Sequence, residues 1–308
     1  METTETALVI LAAGMASRYG SMKQIEGFGP GGETIIDYSI YDAIRVGFKK
    51  IVFIIRKEFA ENFKSIFDPK LKSLVEVEYV YQELEMFTEG VAIPSERKKP
   101  WGTAHAVLCA MELVDQPFAV INADDFYGFD AFEKANNFLS SECTPNNYAI
   151  IGYDLVKTLS EHGTVNRGVC RVDEQGNLVT ITERINVSRQ GDHIVCDDGK
   201  EPRELPLHTG ASMNFWCFDP SIFEYTQKKF REFIEKNIHD PKAEFFIPIV
   251  ADQFIQDGGT IKVVRTHTPW FGVTYKEDAP EVAKKLNELV DKREYPPRLW
   301  TGQSTMGN

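Results

Sequence analysis

An α/β fold, with a mostly parallel sheet flanked by helices and a β-rich second half, is what this sequence predicts. Three observations carry that expectation. Short, continuous apolar runs at residues 7–12 and 51–55 read as strands buried on both faces. Segments with helical periodicity separate such runs, so strand and helix alternate through the first half. From Tyr148 onward the spacing changes, and alternating segments with turn signals take over.

In chain order, residues 7–12 (ALVILA) form the first strand and lead into a glycine loop. Residues 34–47 read as a helix, because Ile36, Ile40 and Ile44 recur every four positions and Gly47 is a suitable stop. Residues 51–55 (IVFII) are a second buried strand, and residues 58–67 a short helix. Residues 75–81 (VEVEYVY) mostly alternate, as a strand nearer an edge would. Residues 104–114 read as helical and 118–122 (FAVIN) as another strand. Ligands of such sheets sit beyond the carboxyl ends of the strands, where the loops after Ala12 and Asn122 both lie. In the second half YAIIGYDL, GVCRVDEQGNLVTITERI, ASMNFWCF and TIKVVRTH read as strands, with DEQGN as a hairpin turn. Residues 223–237 and 280–290 read as helices, the latter with Asp278 and Glu281 at capping-box spacing. Residues 189–206 are polar and predict a surface hairpin or loop. No repeat or linker divides the chain, so one domain over 1–308 is expected, with halves at 1–147 and 148–308.

Composition narrows the function classes. At 43% hydrophobic and 26% charged residues, this is the make-up of a soluble globular protein. The net charge of −12 argues against a nucleic-acid partner, although local cations can still hold small anions. Five scattered cysteines without a CxxC pair argue against a zinc site or a disulfide framework and for a reducing compartment. The acidic start METTET precedes an apolar run too short for a signal peptide, and no stretch could span a bilayer. A cytoplasmic protein without a membrane partner is the expectation.

The chemistry concentrates first in LVILAAGMASRYGSMKQ, residues 8–24. The loop lacks the second glycine of GxGxxG, and no lysine directly follows Gly20 as a P-loop requires. What remains is a run of small residues whose amides can wrap an anion, carrying Arg18 and Lys23 as counter-charges. A surface turn with two solvated cations explains the same residues equally well. LAAGMASRYGSMKQ also resembles the signature LAxGxGxRxxxxxxK of the sugar-phosphate nucleotidyltransferases, the GT-A-like, Rossmann-like family of the thymidylyl- and uridylyltransferases. That resemblance implies that the backbone of Leu11, Ala12, Ala13, Gly14 and Met15 holds a nucleoside triphosphate. It implies Arg18 near the departing pyrophosphate, and Lys23 at the α-phosphate or the attacking phosphate. Ala16 stands where the pattern favours Gly, and Met22 where Pro often precedes the lysine.

The same resemblance extends along the chain. VINADDFYG matches the family's acidic strand end, which implies Mg²⁺ on Asp124, with Asp125 as the second choice. WGTAHAV implies a base cradle at Gly102 and Thr103, and Gln82 matches a glutamine that contacts the base. Between them residues 83–100 are longer than the family leads one to expect and read as a lid or specificity loop. The charge run Arg97–Lys99 within it could meet phosphate, but is more commonly a solvated turn. GVCRVDEQGNLVTITER resembles the family's acceptor hairpin, implying sugar contacts at Gly168 and Glu183 and an acceptor-phosphate contact at Arg184, where lysine is usual. ASMNFWCFDP puts Ser212 where Asn is usual and Asn214 where Gly is usual, as further sugar-binding candidates. PWFGVTYKED departs most, since Gly272 falls where the family carries an Asp that completes the magnesium shell.

Together these imply magnesium-dependent transfer of a nucleotidyl group, from UTP or dTTP by preference, to a sugar 1-phosphate with release of pyrophosphate. Two alternatives stay open. One is a cytidylyltransferase acting on phosphocholine or a polyol phosphate, with Phe215, Trp216 and Trp270 as a possible aromatic lining. The other is a non-catalytic nucleotide-binding module. Oligomeric state is not legible.

Overall fold

Four segments, three of them apolar and one alternating, lie side by side as parallel strands in a computed structural model that describes residues 4–14, 27–160, 163–272 and 279–300. β1 (Ala7–Leu11) sits between β2 (Lys50–Ile55) and β4 (Phe118–Asn122), with β3 (Glu76–Tyr81) outside β2. Both faces of β1 and β2 must be covered, because their side chains are apolar at successive positions. α1 (Ile35–Val46), α2 (Ala60–Leu71) and α4 (Phe129–Ser141) cover the face that carries Leu8, Ile10, Ile51 and Phe53. α3 (Thr103–Leu108), α5 (Ser221–Asn237) and α6 (Ile247–Gln256) cover the face of Val9, Val52, Ile54 and Val120.

α1 begins where its periodicity predicts. The Asp37 carboxylate reaches back to the Thr34 N–H at 2.8 Å, and Gly47 closes the helix at φ +109°. α3 is shorter than its sequence predicts, ending at Leu108 before a single tighter turn at Met111–Leu113. α4 is absent from the sequence reading. It opens on Gly128 at φ +78° without a side-chain cap, so the usual start signal is missing.

The second half adds β6 (Asn147–Asp154), β7 (Val165–Val172), β8 (Leu178–Gln190), β9 (His193–Cys196), β10 (Glu204–Leu205), β11 (Gly210–Phe218) and β12 (Thr260–Thr266). The DEQGN turn joins β7 to β8, with the Asp173 carboxylate accepting from the N–H groups of Gln175 and Asn177. Residues 189–206 continue that hairpin as β9 and β10. The path across the sheet is β10-β9-β8-β7-β11-β4-β1-β2-β3.

β11 is the joint between the halves. One edge pairs with β6, which pairs in turn with β12. The other edge is shared: Ala211 and Ser212 pair with β7, whereas Trp216, Cys217 and Phe218 pair with β4. The register breaks between Ser212 and Trp216, and Asn214 there takes φ +61°. β4 and β7 therefore part along a single neighbouring strand, and that fork opens beside the carboxyl ends of β4 and β1.

β5 (Asp125–Phe126) and β13 (Phe271–Gly272) form a small antiparallel pair next to the fork. Phe126 and Phe271 stack at 4.4 Å and join α7 (Ala279–Asp291), Tyr38, Tyr295 and Leu299 in a third apolar cluster. Among the described residues no helix is long and apolar enough to cross a membrane.

Candidate active site

β1 delivers the start of the glycine loop to the carboxyl-end edge of the parallel strands. The Ala12 N–H donates to Ile54 O at 2.9 Å, and the Ala123 N–H donates to Leu11 O at 3.2 Å. The second bond ties the start of the glycine loop to the acidic loop, although Leu11 and Ala123 lie 112 positions apart. Exposure rises from buried Ala12 through Ala13 to exposed Gly14, beside which a Cβ would meet nothing within 4 Å. Met15, Arg18 and Lys23 lie outside the described residues, as do residues 273–278.

Asp124 is half-buried and Asp125 buried. Asp125 Oδ2 accepts from Asn122 Nδ2 at 2.9 Å and lies 3.2 Å from the Tyr127 hydroxyl. Burial and the neighbouring Asp125 charge push the Tyr127 phenol well above its ordinary pKa, so it stays protonated. Asn122 is itself held: its Oδ1 accepts from Asn214 Nδ2 at 2.7 Å, and Asn214 Oδ1 accepts from Trp216 Nε1 at 2.8 Å. Asn214, a sugar-binding candidate from sequence, thus has both ends of its amide engaged inside the protein. Opposite Asp125 in the β5/β13 pair stands Gly272, and a Cβ there would lie 2.5 Å from Asp125 Oδ1 and 3.2 Å from Asp124 O. The position where a third acid was expected does face the acidic pair, and glycine leaves two carboxylates.

Across the fork Glu183, Gly168 and Ser212 occupy one rung of β8, β7 and β11. A Cβ on Gly168 would press on Ile181 Cγ2 at 2.9 Å, so a side chain there would displace Ile181. Glu183 is exposed. Arg184 is not: at 3% side-chain exposure it donates to Asp198 at 2.6 and 3.1 Å and to the carbonyls of Lys200 and Pro202. The guanidinium hydrogen bond holds the Asp198 carboxyl well below the usual range. Its donors clamp the β8–β10 hairpin. A cation that sequence reasoning overlooked, Arg167, stands one residue before Gly168. It lies over the Trp270 ring at 4.8 Å and donates to Thr158. Burial pulls it down to about 10 against the opposing upward push of the Asp125 and Glu183 charges, so it stays charged at neutral pH. Phe215 and Trp216 are fully buried in the core, and Trp270 is partly buried.

The sequence matches the nucleotidyl transferase family over residues 8–248. The chain belongs to that family. No curated protein matches it in sequence. Among solved structures it is similar to the inositol-1-phosphate CTP transferase from T. maritima, with a TM-score of 0.60 at 12% identity, over 94% of this chain and 98% of that one. At that identity the likeness shows the shared fold.

For a nucleotidyl transferase the donor set at the β4 end fits a divalent metal. Magnesium takes hard oxygen ligands, commonly one or two carboxylates, and fills the rest of its octahedron with water and substrate phosphate. Asp124 and Asp125 are such a pair, and Asn122 fixes the direction of the second. Among the described residues no three His, Cys, Asp or Glu side chains gather into a self-sufficient metal cluster.

The base-binding candidates of the sequence lie on β3, on α3 and beside residues 83–100. A cavity of about 230 Å³ is lined by Arg56, Lys57, Gln82, Lys98, Pro100 and His105, among others. Gly102 has φ +107°, and a Cβ there would lie 2.6 Å from Phe245 O. Its close approach is to the Phe245 backbone, and Thr103 Oγ1 accepts from the Ile247 N–H at 3.2 Å. Arg97 is neither solvated nor exposed. At 2% exposure it lies 3.3 Å over the Trp101 ring and donates to Asp240 O and Ala243 O at 2.9 and 2.7 Å. Trp101 Nε1 donates to Leu84 O at 3.0 Å, so Trp101 fastens both ends of the 83–100 segment, Leu84 through its N–H and Arg97 through its ring.

Proposed function

We propose that this nucleotidyl transferase moves a nucleotidyl group from UTP or dTTP to a sugar 1-phosphate, giving a nucleotide sugar and pyrophosphate. The observation that supports it best is the fork between β4 and β7. The glycine loop and the Asp124–Asp125 pair adjoin it on one side, and the Glu183–Gly168–Ser212 rung lies on the other. A triphosphate on the first and a phosphorylated sugar on the second would meet between them.

In this reading an oxygen of the acceptor phosphate attacks the α-phosphorus in line. A P–O bond forms, the α–β anhydride bond breaks, and its electron pair leaves on pyrophosphate, with no covalent enzyme intermediate. Arg18 and Lys23 offset charge on the phosphates, and alignment supplies much of the acceleration. Asp124 and Asp125 would hold Mg²⁺, which when bound neutralises phosphate charge. Glu183 and the Gly168 backbone hold sugar hydroxyls, with Ser212 beside them. Arg184 leaves the acceptor set, since Asp198 occupies it, and Arg167 takes over as the cation of that half.

A second reading, cytidylyl transfer to a polyol phosphate, draws on the structural likeness to a CTP transferase for inositol 1-phosphate. The phosphocholine version loses support, because Phe215 and Trp216 are core residues. A pyrophosphate-release assay decides. It crosses the four ribonucleoside triphosphates and dTTP against hexose 1-phosphate, N-acetylhexosamine 1-phosphate and polyol phosphates, with and without magnesium. Release with UTP or dTTP and a sugar 1-phosphate is expected. Release only with CTP and a polyol phosphate selects the second reading.

A further inference from the structure

Gln82 ends its strand with an amide whose nitrogen lies 3.2 Å from Gly102 O and 3.2 Å from His105 Nδ1. A carbonyl can only accept, so the amide nitrogen must point towards Gly102; the reversed amide would set two oxygens against each other. His105 Nε2 lies 3.0 Å from Met86 O, which is also an acceptor, so Nε2 carries the ring proton. Nδ1 is then a bare lone pair, and it accepts the second N–H of Gln82. The ring is fully buried, 4.7 Å from Phe230. Burial draws its pKa down to about 4, which keeps it neutral. Both amide hydrogens of Gln82 are spent inside the protein, and only Oε1 remains to meet a ligand in the cavity that Gln82 and His105 line.

Resting on the functional reading above, we propose that His105 is a positioning residue that holds Gln82 with its carbonyl towards the nucleotide, so that the site takes a base presenting an N–H donor at that edge. The 83–100 segment then has a defined part in specificity. It supplies Met86 O, which sets the histidine tautomer, and Trp101 and Arg97 hold the segment in place.

Long-range proton–nitrogen NMR of the wild-type protein reads the tautomer without substrate. A protonated Nε2 and bare Nδ1 at His105 are expected, and a protonated Nδ1 overturns the proposal. Calorimetric binding in magnesium then compares UTP with its 3-deaza analogue, which has C–H for N3–H, and CTP with the analogue lacking its 4-amino group. For whichever parent binds more tightly, loss of the N–H weakens binding about 10-fold, the worth of one neutral hydrogen bond. In Gln82→Leu and in His105→Phe that ratio falls to within about twofold. A ratio near one in the wild type, or an undiminished one in folded His105→Phe, overturns the proposal. Should His105→Phe fail to fold, Gln82→Leu and the NMR measurement carry the decision. If folded wild type binds no nucleotide, the functional reading fails, while the tautomer measurement still judges His105 by itself.

Discussion

Asn214 Nδ2 donates to Asn122 Oδ1 at 2.7 Å, spanning the gap that opens where β4 and β7 part along β11. Through Asn122 the bond reaches Asp125, and through its own carbonyl Asn214 is held by Trp216 in the core. Asn214 can do this because φ +61° turns its side chain across the fork, and asparagine is among the few residues other than glycine that adopt such a backbone readily.

Two substitutions separate the backbone from the amide. Asn214→Gly keeps the left-handed conformation but leaves the buried Trp216 N–H without its acceptor, so it should lose about 1–3 kcal/mol in urea unfolding and need more magnesium for half-maximal activity because Asp125 loses its support. Asn214→Val loses the same bonds and meets the strain of a β-branched residue at positive φ, so it should lose about 1–3 kcal/mol more than Asn214→Gly in urea unfolding. Equal magnesium dependence in Asn214→Gly and wild type would detach the relay from the metal.

Asp124→Ala should lower turnover by about 100-fold or more with an unchanged circular dichroism spectrum. Lys23→Ala should do the same. Near wild-type rates in either variant would remove that residue from the proposed chemistry.

Arg97 donates to the backbone carbonyls of Asp240, Ala243 and Pro100 and lies over the Trp101 ring, an arrangement an ammonium group cannot imitate. Arg97→Lys should therefore destabilise the protein by about 1–3 kcal/mol in chemical denaturation, despite conserving charge. A shift within error of zero would mean that the 83–100 segment is anchored elsewhere.

Asp42 sits buried against the Tyr295 hydroxyl and Arg45, and burial raises its carboxyl to about 7 although both partners, which favour the charged form, pull it down. A carboxyl raised above its unfolded value contributes stability in full below about pH 4, and that contribution is lost as pH rises through about 7. Glu294, which faces the same group, adds to the upward push. Melting temperatures between pH 5 and 8 should fall more steeply for wild type than for Asp42→Asn, whose amide cannot titrate. Parallel curves would refute the assignment.

Periodicity made the first-half strands, α1 and the DEQGN hairpin legible, because local pattern and tertiary environment agree there. The helix at Phe129–Ser141 escaped, since Gly128 provides no capping side chain. The fates of Arg97 and Arg184 were not legible either. Each looks like an ordinary surface cation in sequence, and each is buried by partners from elsewhere: Asp240 and Ala243 for one, Asp198 in a returning strand for the other. Position 272 was readable as facing the acids, but Asn214 was not readable as a brace, because its left-handed backbone arises only where three strands compete for the edges of one.

A protein that binds two substrates in separate halves often brings them together by swinging one lobe over the other. Here a single continuous segment, Gly210–Phe218, is stitched into both lobes along its own length. In the proposed reading the span from donor to acceptor is consequently set by a few peptide units of one ribbon. In that reading, accommodation of larger or smaller acceptors falls to side chains and connecting loops.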